Sequence, residues 1–144
     1  MGTFTEYFAA TRDEALACAA DGPGNTELPQ IDLKWIDPAV MLGQLWAHAE
    51  GQPYSQDYWG DDGPPLAGDG QGPWVVQIKD ACTASLAAIA DDRLLPIAEG
   101  WRLAEEWIGD WEPDELAEVV GGLRTVAQAA QSTDDTHMYV WICL

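Results

Sequence analysis

Apolar and polar positions alternate or recur along this chain with periods that assign most of its elements. "TFTEYFAA", residues 3–10, alternates and is rich in aromatic and β-branched residues, which predicts a strand. In "TRDEALACAA" Thr11 precedes Glu14 by three residues. That is capping-box spacing, so a short helix starts there, and "DGPG" at 21–24 ends it. "LPQIDLKWI", residues 28–36, reads as extended or irregular. The next segment opens with Asp37 as N-cap and Pro38 at the first helical position. Met41, Leu42, Leu45, Trp46 and Ala49 then share one face that must be buried, and Gly51 is the expected stop. Residues 52–72 form a long acidic loop rich in Gly and Pro, a length usually tied to function or mobility.

"PWVVQIK", residues 73–79, predicts a second strand. Asp80 should cap "ACTASLAAIA", with Leu86 and Ile89 facing inward. Asp91 or Asp92 should cap "RLLPIAEGWRLAEEWI", with Pro96 in its first turn, where no hydrogen bond is lost. Its apolar stripe is Leu94, Ile97, Ala98, Trp101, Ala104 and Ile108. The longest helix opens at Pro113, with Asp114 and Glu115 complementing its dipole. Gly121 and Gly122 weaken its middle by about 1 kcal/mol each relative to Ala, unless another element packs closely there. "HMYVWICL" is apolar on both faces, the mark of a central strand. The order predicts an α+β fold: one domain over 1–144, a small mixed β-sheet with about five helices packed on it, and the last strand central.

Composition changes this picture little. A chain of 144 residues with 47% apolar content supports one core; at this size roughly 68% of the unfolded surface is buried on folding. No apolar run has the length of a membrane span, and residues 1–15 carry no signal-peptide pattern, so the cytoplasm is the default expectation. Cys18, Cys82 and Cys143 are three, far apart and without C-x-x-C spacing, which predicts free thiols.

Charge changes the picture more. Twenty-five acids face six bases, a formal net of −19. Such a surface repels nucleic acid and anionic lipid and attracts a basic protein. Solubility or a salt-adapted proteome is the bland explanation of the same number.

Catalytic signatures are sparse. His48 and His137 are the only histidines, and no Ser or Cys stands in a nucleophile motif. The aspartates of the 52–72 loop lack calcium-loop spacing, and no phosphate-cradling glycine loop precedes a helix with Lys. No catalytic residue, metal ligand or cofactor is assigned. Aromatics among acids remain. One group is Asp57, Tyr58, Trp59, Asp61 and Asp62. The other is Glu106, Trp107, Asp110, Trp111 and Glu112, in a stretch from Arg102 to Arg124 with seven acids and no intervening base. Trp and Tyr anchor protein interfaces, and carboxylates at a rim capture Lys and Arg. A solvated acidic face over the core edge is the competing reading.

Several segments resemble the YfbM-like family of uncharacterised bacterial proteins. They are "MGTFTEYF", "IDLKWIDPAVMLGQLWAHAEG", "PWVVQIKDACTASLAAIA", and the last helix and strand. The clearest pattern is carried by Ile31, Asp32, Leu33, Lys34, Trp35, Leu45 and Gly51. Family members often have a Leu-His pair in that helix, where this chain has "LWAH". The resemblance implies an α+β fold and supplies no catalytic residues. The expected function is a non-enzymatic acidic binding protein, of the immunity type, that engages a basic protein. The alternative is a small enzyme or ligand-binding domain with a pocket between the sheet and the 52–72 loop, near His48, Tyr54, Tyr58 and Trp59.

Overall fold

The computed structural model describes residues 4–34, 36–58, 65–105, 107 and 110–144. Four strands form one sheet: β1 (Phe4–Thr11), β2 (Gln30–Lys34), β3 (Trp74–Gln77) and β4 (Thr136–Cys143), in the order β2-β1-β4-β3. The helices are α1 (Arg12–Ala17), α2 (Met41–Glu50), α3 (Asp80–Ala87), α4 (Leu94–Trp101) and α5 (Pro113–Ala130). The fold is α+β, and β4 lies inside the sheet between β1 and β3, as its two apolar faces require.

Every strand pairing is antiparallel, so the sheet is not mixed. The reason is visible where β3 hands over to α3. Asp80, the first residue of α3, touches His137 at the start of β4. The end of β3 and the start of β4 therefore lie together, and the intervening helices return the chain to the end it left.

Alternation splits the sheet into two faces. Tyr7, Ala9, Leu33, Met138 and Val140 point into the main core, against α2, α3, α4 and α5. Phe8, Ala10, Val75 and Tyr139 point the other way, against Ala15 and Cys18 of the α1 layer. Within the segment 28–36, Gln30–Lys34 are extended and supply the edge strand β2, with Ile31 and Leu33 directed to the main core. Two hydrogen bonds fix its passage over the sheet: the Thr5 hydroxyl donates to the Leu33 carbonyl, and the buried Tyr7 hydroxyl donates to Ile36 O at 2.7 Å.

Local signals hold where the neighbouring structure agrees with them. Thr11 and Glu14 form the reciprocal capping box at the start of α1. Gly51 ends α2 in the left-handed region, φ 69°. Gly122 has its compensation: a Cβ there would stand 2.3 Å from Ile31 Cδ1, so the glycine lets β2 and α5 approach. Cys18 and Cys82 are buried free thiols, and Cys143 is half-buried.

Other helix boundaries differ. Asp37 Oδ1 accepts from the Val40 and Met41 amides at 2.9 and 2.8 Å, closing a turn that contains Pro38, and α2 begins only after it. Asp80 is the first residue of α3 rather than its cap, because its carboxylate is given to His137. Neither Asp91 nor Asp92 caps α4; they start a 3-10 turn, Asp91–Arg93, and Asp91 pairs with Arg124 at 2.7 Å. No helix among the described residues is long and apolar enough to cross a membrane.

Glu6 is the one misfit on the outer sheet face. It pairs across the strands with Asp32, and its Oε2 is buried with no hydrogen-bond partner among the described residues. Burial, and then the Asp32 carboxylate, push its carboxyl above the ordinary 4.5. A raised folded value means that protonation favours folding. That contribution is full below the ordinary value and is lost as pH rises through the folded one. Glu6→Gln should therefore stabilise the protein at neutral pH, by less than about 1 kcal/mol because solvent screens this partly exposed group. The gain should shrink as pH falls through the raised folded value and be gone below the ordinary 4.5. Thermal melts of both proteins across pH 3–8 check the sign; a gain that grows on acidification contradicts it.

Candidate functional site

The helix expected to run from 93 to 108 stops at Trp101, and the candidate site follows from that break. The chain leaves through two short-range bonds, Leu103 N to Gly100 O at 3.2 Å and Ala104 N to Trp101 O at 3.0 Å. Trp107 then folds back, and its Nε1 also donates to Trp101 O, at 2.7 Å. Arg102 Nε donates to Trp111 O at 2.7 Å and draws the start of α5 against the same turn. One saturated carbonyl and one guanidinium thus convert a continuous apolar stripe into a folded knuckle.

Three indoles line the knuckle as a ladder from core to surface. Trp101 is fully buried, and its Nε1 donates to Met41 O at 2.9 Å. Trp107 meets it edge-on at 4.8 Å between centroids, and Trp111 lies 5.5 Å beyond, tilted. Trp107 and Trp111 are half-buried; they cover the core edge and also present ring surface. A cleft of about 400 Å³ is lined by Arg102, Leu103, Trp107, Asp110 and Trp111. Leu103 is 80% exposed, the most exposed large apolar side chain described. Asp110 and Glu112, with Glu105, Asp114, Glu115 and Glu118 nearby in the chain, are all exposed.

Basic groups are few, 6 against 25 acids. Three of the four arginines donate to backbone carbonyls: Arg93 to Ala49 at 2.9 Å, Arg102 to Trp111, and Arg124 to Ile89 at 3.0 Å. Arg93 and Arg102 remain exposed, and Arg102 brings its charge to the cleft itself.

The second aromatic group is placed differently. Tyr58 closes a 3-10 turn, Gln56–Tyr58, and packs edge-on against Trp46 of α2 at 5.2 Å. Burial, and then the nearby Glu50 carboxylate, push its phenol above the ordinary 10.0. Trp46 Nε1 donates to Glu50 Oε1 at 3.1 Å and to Ser85 Oγ at 3.0 Å, so Glu50 collects the ring and the loop into one cluster. Tyr58 is therefore an anchor of the loop more than a presented side chain, while Asp57 is exposed. Trp59, Asp61, Asp62 and Glu106 lie outside the described residues. No hydrogen bond or ring contact among the described residues joins the Tyr58 group to the Trp107 group. Farther along the loop Ala67 pairs with Val75, so this segment covers the free edge of β3.

The groups considered for chemistry are dispersed. The 390 Å³ cleft beside Tyr58 is lined by Trp46, Glu50, Gln52, Pro53, Ser55, Asp57 and Tyr58, without a histidine. His48 instead lies against Gly100 of α4, where a Cβ would come within 2.9 Å of its ring, and burial of that side lowers its pKa. His137 Nδ1 is 3.1 Å from Asp80 Oδ1, yet no hydroxyl among the described residues is hydrogen-bonded to its ring. Burial, chiefly, pushes the Cys82 thiol up to about 12, so it is a protonated core group at neutral pH. No cluster of three or more metal-binding side chains occurs among the described residues.

Leu103 and Arg102 were the residues that sequence reasoning missed. A faint signal existed: Leu103 falls off the stripe Leu94, Ile97, Ala98, Trp101. An α+β protein carrying an aromatic knuckle in an acid-rich stretch of chain is the class these features define. No family model matches the chain, and no curated protein or solved structure matches it either.

Proposed function

We propose that this protein is a non-enzymatic binding protein that engages a basic protein partner through the knuckle of Arg102, Leu103, Trp107, Asp110 and Trp111, in the manner of an immunity-type inhibitor. The observation that carries the reading is the Trp101–Trp107–Trp111 ladder, whose outer rungs share a cleft with Leu103 and Asp110 in a stretch of chain whose described acids are all exposed. Rigid aromatics held from below lose little entropy on binding and make efficient anchors. The carboxylates steer a cationic partner and set its orientation. The excess of acids over bases, 25 against 6, supports the same reading, since few positive charges oppose that field. The YfbM-like resemblance belongs to this proposal and adds no site residues to it.

The test is kinetic. A basic partner recovered at low salt is purified and its binding followed by surface plasmon resonance. The on-rate should fall about tenfold or more between about 0.05 and about 0.5 M NaCl. Trp111→Ala combined with Asp110→Lys should weaken binding at least about tenfold, whereas Asp13→Lys on α1 should not. A salt-independent on-rate, or equal loss from both variants, removes the reading.

A further inference from the structure

The other layer of the molecule holds a cleft that the knuckle does not involve. It lies between α1 and segment 18–29, on the sheet face opposite α2–α5, as an open depression of about 550 Å³. Drug-sized ligands occupy clefts of roughly 300–1,000 Å³. Its floor is apolar: Ala17, Cys18, Gly22 and Leu28, with Cys18 and Gly22 buried. Its rim is polar and carries Glu14, Asp21 and Glu27, with Asn25 and Thr26 and no basic side chain.

The cleft is held open by bonds that involve no ligand. Gln30 Nε2 donates to Pro23 O at 2.8 Å and to Leu28 O at 3.0 Å. The Thr26 hydroxyl donates to Pro23 O at 2.6 Å. Gly22 N donates to Cys18 O at 2.8 Å, and Trp141 Nε1 donates to Ala19 O at 3.1 Å. A loop fixed at this many points keeps its shape when empty, which reduces the ordering cost of binding. Glu14 is committed in part, since its Oε1 accepts from Thr11 N at 2.9 Å. Asp21 and Glu27 are the rim charges left for a ligand. Cys18 adds no charge of its own: burial, and then Glu14 and Glu6, push its thiol above the ordinary 9.0.

We infer that this cleft binds a small organic cation with an apolar body, an arylalkyl- or alkylammonium, whose charge meets Asp21 and Glu27 while its body rests on Cys18, Ala17 and Leu28. Anions are repelled by the rim. A bare metal ion would gain nothing from the apolar floor, and a neutral apolar molecule would leave the carboxylates unused.

Phenethylammonium chloride is the probe, titrated at constant ionic strength and followed by amide-resolved NMR. Shifts should concentrate between residues 14 and 28. The double variant Asp21→Asn, Glu27→Gln should weaken the apparent affinity about fivefold. Both side chains are exposed, and an unchanged melt shows that the fold is intact. 2-Phenylethanol, of the same shape without the charge, and methylammonium, the charge without the body, should each bind more weakly than the probe. The inference is overturned by shifts as large over residues 105–118, which would mean diffuse attraction to an acidic protein. An unchanged double variant, or equal binding of either comparison compound, overturns it too. None of these results bears on the knuckle, whose test uses a protein partner and other residues.

Discussion

Deletion of residues 137–144 is expected to abolish cooperative folding. The removed residues are nearly all of β4, which pairs along its length with β1 and through residues 139–142 with β3. Its Met138, Tyr139 and Val140 are essentially inaccessible, the first and third in the main core and the second in the α1 layer. At about 1.5–3 kcal/mol per buried large side chain, those three alone amount to roughly 5–9 kcal/mol. Whole domains of this size are stable by about 5–15 kcal/mol. The ladder bonds lost on both sides and the detachment of β3 add to that. Far-UV circular dichroism and urea titration check the outcome. A cooperative transition retained by the shortened chain would mean that β1 and β2 hold the helices unaided.

Trp101→Ala is expected to destabilise the protein by about 3–5 kcal/mol and to loosen the knuckle as well. The side chain is fully buried, its Nε1 reaches Met41 O, and Trp107 rests on its ring. Removing it leaves a large cavity under the two outer indoles. Trp101→Phe separates the two effects. It keeps most of the volume and the support for Trp107, but leaves Met41 O without its indole donor, a loss of about 1–3 kcal/mol. Urea denaturation reads stability, and the assigned indole N–H resonances of Trp107 and Trp111 read the outer rungs. The alanine variant should show shifted or broadened resonances for both and weakened partner binding even below its unfolding transition. The phenylalanine variant should bind its partner with near-normal affinity. Equal binding by wild type and the alanine variant would show that the outer rungs need no support from the core.

The elements that were legible in the sequence are those whose pattern and surroundings agree. Thr11 and Glu14 announce a helix start because both partners of the capping box are local. The stripe Met41, Leu42, Leu45, Trp46, Ala49 is buried because a helix with that stripe has no other stable placement. The pair Gly121-Gly122 signalled a close approach, and the structure names Ile31 as the neighbour of Gly122.

The knuckle was half legible. Composition placed Trp107, Trp111, Asp110 and Glu112 together because they are neighbours in the chain. Nothing local revealed that the helix breaks before them, since residues 94–108 keep an apolar period throughout. The break comes with Arg102 reaching the Trp111 carbonyl and Trp107 reaching the Trp101 carbonyl, side-chain-to-backbone bonds that an apolar period does not register. The packing of Tyr58 was not legible either. Its partners Trp46 and Glu50 belong to α2, and no reading of the loop alone could assign them.

By itself, then, the sequence determined the α+β class, the inner position of the last strand and the excess of negative charge. Each follows from the periodicity or count of residues close along the chain. Only the tertiary structure decided the antiparallel sense of the strand pairings, the carbonyls that the arginines reach, the knuckle, and the cleft beside Cys18. Those depend on which particular side chain and carbonyl meet, and local propensity carries no information about that choice.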